Sequence, residues 1–151
     1  MEYINSFKDS IKETFESMFD EIIILENETT APTWILSKGV AVVVGITGEK
    51  NGKVLLDMSL ETALELAKKV DSDLGEEDLA LFTMAEFCNI SSGGAITMMN
   101  DSSKRAGLML ATPSIFTGIN AKIFSPNMKA ILLSYNSRFG LIDFHIGFEG
   151  V

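Results

Sequence analysis

Near the N-terminus the hydrophobic residues recur every three or four positions. Phe7, Ile11, Phe15, Met18, Phe19 and Ile22 share one side of a helical wheel, with Lys8, Asp9, Lys12, Glu13 and Glu16 elsewhere on it, so the spacing predicts an amphipathic helix. Polar residues 26–33, closing with Pro32, read as its break. The period then shortens to two. Residues 34–38 lead into the β-branched run 40–47, and 54–58 return, which predicts a hairpin. The intervening Gly48-Glu49-Lys50-Asn51-Gly52 carries an Asn-Gly pair, a strong turn signal. Ser59, with Thr62 three residues on, reads as the N-cap of a short helix through Val70.

A longer helix is expected from about Glu76 to Met99, followed by strands over 108–111, 115–117, 122–124, 130–135 and 141–148. The last alternates cleanly, with Ile142, Phe144, Ile146 and Phe148 on one face and Asp143 and His145 on the other; His145 is expected half-exposed. Ser137-Arg138-Phe139-Gly140 reads as a hairpin turn. The acidic stretch 71–78 departs from a calcium loop, with its glycine one place early and Phe82 at the twelfth position, and reads as a linker whose acids favour a helix N-terminus. Helix followed by hairpin occurs twice, which suggests a degenerate internal duplication. The fold class expected is α+β: a mainly antiparallel sheet with helices packed on one face, in a single domain over residues 1–151.

Composition narrows the function classes. Of 151 residues 46% are hydrophobic and 22% charged, a globular balance. The net charge of −9 argues against nucleic acid and against an anionic membrane surface, both of which call for clustered Lys and Arg. The one cysteine, Cys88, excludes an intrachain disulfide and a cysteine-based zinc site. The first residues lack the basic and apolar regions of a signal peptide, and apolar runs such as 40–46 are too short to span a bilayer, so a cytoplasmic protein is expected.

The long helix carries the candidate chemistry. On an ideal wheel Leu81, Met84, Cys88, Ala95 and Met99 define a core face, while Phe82, Glu86, Asn89, Gly93 and Thr97 lie opposite. Glu86 and Asn89, three apart, are neighbours on the outward face. Asn is an indifferent helix former, and Gly93 and Gly94 each cost about 1 kcal/mol relative to Ala in a helix. Close approach of another backbone would account for the glycines. Phe82 and Ile90, apolar residues beside a polar pair, suit protein docking. His145, the one histidine, has no second metal-type ligand near it in sequence. Cys88 reads as a small buried hydrophobe.

Glu86-Phe87-Cys88-Asn89-Ile90-Ser91-Ser92-Gly93-Gly94-Ala95 resembles the signature helix of the CheC/CheX family of chemotaxis phosphatases: Glu, two residues, Asn, an aliphatic residue, two residues, Gly and a small residue. The family also places a proline some twenty-odd residues beyond the Asn, matched by Pro113. The likeness is greatest to CheX, with one intact Glu/Asn helix; the first helix would occupy the place of CheC's second active helix and lacks the pair. The family usually has Asp or Ser four residues before the Glu, where this chain has Phe82. Thr83, beside it, points about 100° away on an ideal wheel.

The resemblance implies hydrolysis of the phosphoaspartate of a CheY-like phosphorylated receiver. Asn89 would orient the attacking water and Glu86 would pair with a receiver lysine, with Phe82, Ile90, Gly93 and Pro113 at the partner surface. It implies no cofactor of the protein's own and no metal site, Mg²⁺ coming from the receiver, and it implies a homodimer. The alternative expectation, prompted by Phe82, is a binding module that recognises a receiver or another signalling protein without hydrolysis.

Overall fold

The computed structural model describes residues 2–73, 76–103, 107–124 and 129–149. The N-terminal helical period becomes α1 (Glu2–Phe19), which buries Ile4, Phe7, Ile11, Phe15 and Phe19. The helix ends earlier than the pattern suggests. Asp20 takes a left-handed φ of 51° and its N–H bonds the Glu16 carbonyl, a helix-ending arrangement. The β-branched run that follows opens a strand, β1 (Ile23–Thr30). Ile22 is therefore 70% exposed instead of lying in the helix core. Of the polar residues expected to be a break, 26–30 form the rest of β1, with a bulge between Leu25 and Asn27, and only 31–33, around Pro32, interrupt the regular structure.

β2 (Trp34–Leu36), β3 (Gly39–Gly48) and β4 (Gly52–Ser59) come next. The β3–β4 hairpin forms as expected, but its Asn-Gly pair is not the conformational key. Gly48 supplies the left-handed residue, with φ 113°. Gly52 already belongs to β4, where an added Cβ would come 2.7 Å from Phe148 Cδ1 and 2.8 Å from the Gly147 carbonyl. Helix α2 (Leu60–Val70) is capped by Ser59, whose hydroxyl accepts the Thr62 N–H at 3.1 Å. Of the acidic linker, Leu74 and Gly75 lie outside the described residues. Helix α3 (Glu77–Ser103) follows, then β5 (Leu108–Leu110), β6 (Ser114–Thr117), β7 (Lys122–Phe124), β8 (Lys129–Ser137) and β9 (Gly140–Phe148).

The main sheet runs β1-β8-β9-β4-β3, and the outer edge of β3 is shared by β6 and β5; its pairings are antiparallel. This order reads the same from either end when β1–β4 are exchanged with the strands after α3. β2 and β7, equivalent under that exchange, pair as a separate ribbon centred on Ile35 and Ile123. The helix-then-hairpin duplication suspected in the sequence is thus present as topology. The core lies between the helices and one sheet face, where Phe15, Phe19, Phe87 and Phe144 meet edge-on or tilted with ring centroids 5.0–5.8 Å apart. By length and composition Glu77–Ser102 would pass for a membrane-crossing helix, but 56% of its apolar window is buried in the fold, where it serves as the central core helix.

The other sheet face is the one facing the β2–β7 ribbon: Ile35 and Ile123 pack with Ala41, Leu55 and Val43 in a second small cluster. That cover corrects the expectation for His145, which is only 8% exposed.

Candidate functional site

Helix α3 is held to the core by Ala80, Met84, Phe87, Cys88, Ala95 and Ile96, all buried, while Leu81 and Met99 are partly buried. Phe87, next to Glu86, thus belongs to the core face although the ideal wheel sets it between the two faces. Cys88 is fully buried, and burial pushes its thiol up to about 12, so it is no nucleophile. Because the buried side is fixed, the opposite side is fixed too. Glu86 is exposed and Asn89 half-exposed, one turn apart. Among the described residues neither side chain has a hydrogen bond or ion pair, so carboxylate and amide are both available to a partner. Phe82 is 69% exposed and Ile90 44%, flanking the pair along the helix. Thr83 cannot stand in for the missing polar residue: it is buried, and its hydroxyl donates to the Leu79 carbonyl at 2.9 Å.

The two glycines differ. A Cβ on Gly94 would overlap the Ser10 hydroxyl of α1, which donates to the Ser91 carbonyl at 2.6 Å. What comes close there is a side chain at the α1–α3 crossing, not another backbone. A Cβ on Gly93 would meet only Leu110 Cδ1, at an ordinary 3.6 Å. Gly93 therefore faces β5. Pro113 lies three residues beyond Leu110, between β5 and β6, where the edge of the sheet is interrupted: β5 pairs with 46–48 and β6 with 40–43. A residue without an N–H suits that gap. Phe82, Glu86, Asn89, Ile90 and Gly93 thus share one helix, and Pro113 sits on the adjoining sheet edge.

A second polar locus, unforeseen as a group, lies on the other face of the sheet. Asp57 of β4 and Asp143 of β9 are directly opposite each other. Asp57 accepts the Ser37 hydroxyl at 2.6 Å and the Lys38 N–H at 3.1 Å, and the Lys38 ammonium bridges to both carboxylates. Burial raises the Asp57 carboxyl above its ordinary value despite those partners. Burial alone would lower Lys38, but the hydrogen bond and charge of Asp143, with Asp57, raise it. His145 is driven down to about 4, chiefly by burial, with Asp143 opposing and Lys38 reinforcing the shift. These residues are scattered through the sequence, and no local spacing announces them.

The family model described as chemotaxis phosphatase CheX matches residues 40–135, nearly two thirds of the chain. The chain belongs to the CheX family. Comparison with curated protein sequences finds no match. Among solved structures, a chemotaxis protein CheX from Desulfovibrio desulfuricans superposes with a TM-score of 0.87 at 20% identity, covering 99% of this chain and 100% of that one. A chemotaxis protein CheX from Vibrio vulnificus gives 0.85 at 21% identity, with 99% and 100% covered. The CheX of a CheX–CheY–BeF3–Mg²⁺ complex from Borrelia burgdorferi gives 0.75 at 25% identity, with 97% of each chain covered. The mixed α+β fold, with its antiparallel sheet and three helices, is thus that of CheX proteins over nearly the whole chain.

Proposed function

We propose that this CheX-family protein hydrolyses the phosphoaspartate of a CheY-like receiver, using the outward face of α3. The observation that carries the reading is the Glu86/Asn89 pair: a carboxylate and an amide one turn apart, outward-facing, without side-chain partners among the described residues and flanked by exposed Phe82 and Ile90. An acyl phosphate is labile, so its catalyst has mainly to place a water in line and stabilise spreading charge. The Asn89 amide can accept from the water and donate to an oxygen. Glu86 would pair with a receiver lysine and set the register of docking. Phe82, Ile90 and Gly93 would form the rest of the contact, with Pro113 on the adjoining edge. This is catalysis by positioning. Mg²⁺, held by the receiver's own acids, would balance phosphoryl charge; a CheX–CheY complex carrying Mg²⁺ is in keeping with that division of labour. The family resemblance further implies a homodimer working in the cytoplasm.

Phe82 supports a second reading, in which the same surface binds a receiver without hydrolysis. Phosphate release from a phosphorylated receiver separates the two. The phosphatase reading expects wild type to accelerate release and Asn89→Ala to lose most of that acceleration, about a hundredfold, while folding normally. Unchanged turnover in Asn89→Ala removes the water-positioning role. Binding without acceleration by wild type selects the second reading.

A further inference from the structure

The locus formed by Lys38, Asp57, Asp143 and His145 is separate from the α3 surface and unused by the proposed reaction. Its arrangement is costly. Two carboxylates stand directly opposite across β4 and β9, where like charges repel, and Asp57 is 2% exposed. Among the described residues a single ammonium, Lys38, serves both, which leaves one negative charge uncompensated.

His145 adds an independent polar group aimed into the same place. Its residue is more than nine-tenths buried, and its ring nitrogens, which have no hydrogen-bond partner among the described residues, are not among the atoms shut away from solvent, so the little surface that His145 keeps presents them to a ligand. The residue is not sealed in apolar packing, because it lines a cleft of about 540 Å³ together with Lys38, Asp57 and Asp143. The remaining walls are apolar: Pro32, Trp34 and Leu36 on the side of the ribbon, Leu132 on the sheet. The size falls within the range of small-molecule sites.

From this geometry we propose that the cleft between the β2–β7 ribbon and the outer sheet face binds a small organic cation, an ammonium or guanidinium on an apolar body. The cation lies at Asp143 and Asp57, where it neutralises the surplus charge. A polar group beside it, or the cation itself through a bridging water, satisfies His145. The apolar body lies against Trp34, Leu36 and Leu132. A metal ion fits less well: among the described residues no three His, Cys, Asp or Glu side chains are grouped to hold one.

His145 is the only histidine in the chain, so its imidazole proton resonances report on the cleft without assignment ambiguity. The intact protein is titrated at neutral pH with phenethylamine, and with phenylacetate as a probe of similar body and opposite charge. The amine is expected to shift the His145 resonances saturably, half-complete near about 1 mM, and phenylacetate to leave them in place. Asp143→Asn should weaken the amine about tenfold by removing a charge-assisted contact. Trp34→Ala, at the exposed rim of the ribbon, should weaken it several-fold and provides a variant whose folding does not depend on the buried charges. Asn89→Ala should bind as wild type does, so the outcome is separable from that of the receiver assay. No saturable shift with the amine, an equal shift with phenylacetate, or undiminished binding in both cleft variants overturns the proposal.

Discussion

Gly93→Ala offers a test that separates what the chain needs for folding from what its surface needs for docking. Gly93 is inside α3, where alanine is favoured over glycine by about 1 kcal/mol. The added Cβ meets only Leu110 Cδ1 at 3.6 Å, an ordinary contact, so no steric penalty cancels that gain. The variant should therefore be stabilised by about 0.5–1 kcal/mol, a rise in Tm of about 1–4 °C in a domain of this size. Gly94→Ala is the internal control. There the Cβ displaces the Ser10 hydroxyl from the Ser91 carbonyl, and losing a buried hydrogen bond of about 1 kcal/mol cancels the propensity gain. Intramolecular packing thus explains Gly94 and leaves Gly93 without an internal reason. If a receiver backbone approaches Gly93, the Cβ will obstruct it, and receiver dephosphorylation should fall about tenfold or more in a protein that is more stable than wild type. Urea unfolding and phosphate release from a phosphorylated receiver, measured on the same samples, make the comparison. A destabilised Gly93→Ala would refute the packing argument. A stabilised variant with wild-type turnover would remove Gly93 from the docking surface.

Two further outcomes follow from the site geometry. His145 has a folded-state pKa of about 4 against an ordinary value of about 6.5, so on acidification the unfolded chain takes up the proton first; stability is unaffected above about pH 6.5, falls as pH drops towards 4 and levels off below, with about 2 kcal/mol lost between pH 7 and 5. Asp57, shifted upward, works in the opposite direction at lower pH, so the measurement is the difference between wild type and His145→Gln in urea unfolding at the two pH values; equal losses in both proteins would show that His145 is not the group responsible. Phe82→Ala removes a side chain that is 69% exposed and should leave stability within about 0.5 kcal/mol while raising the receiver KM about tenfold with kcat little changed. A lowered kcat at constant KM would place Phe82 in the chemistry and not in docking.

The chain's order was legible where a few residues mark a face. In α3 the direction of Glu86 and Asn89 could be read because Met84 and Cys88 lie opposite them, although the helix as a whole, with Phe82 and Ile90 exposed and Ser91 and Ser92 buried, has almost no apolar stripe. β9 was equally readable, because Ile142, Phe144, Ile146 and Phe148 alternate without interruption. β1 was not, since only its first three residues carry an apolar signal and its polar remainder, Glu26 to Thr30, is an edge strand exposed to water. The C-terminal end of α1 was misplaced, and the β3–β4 turn, though expected in the right place, was credited to the wrong residues, for a related reason. A left-handed residue at Asp20 or Gly48 is decided by what packs on either side, not by the dipeptide itself. The cleft around His145 was beyond sequence reasoning altogether. Its four polar residues come from the segment before β3, from β4 and from β9, and their burial depends on a ribbon, β2 with β7, whose strands are far apart in the chain.

The internal duplication explains why the chain has one Glu/Asn helix and not two. Ser10 and Ser91 meet where α1 crosses α3, and aligning the two helices on that contact brings their burial into step. Phe7 then matches Cys88, Ile11 matches Ser92, Thr14 matches Ala95 and Phe15 matches Ile96, every one of them buried. In this register Asn5 occupies the place of Glu86, and Lys8 that of Asn89. Asn5 has no charge with which to pair a lysine. The Lys8 ammonium has donors but no acceptor, so it cannot hold a water from both sides as an amide can, and it is already engaged by Glu28 of β1. The flanking sheet edges differ as well. Beside α3 the edge is broken into β5 and β6 around Pro113, whereas beside α1 it is one strand, β1, with a single bulge. The core side of the repeat has been kept in both halves because both halves must bury it. The outward side is free of that constraint, and only α3 carries there the carboxylate and amide on which the proposed docking and water placement rest.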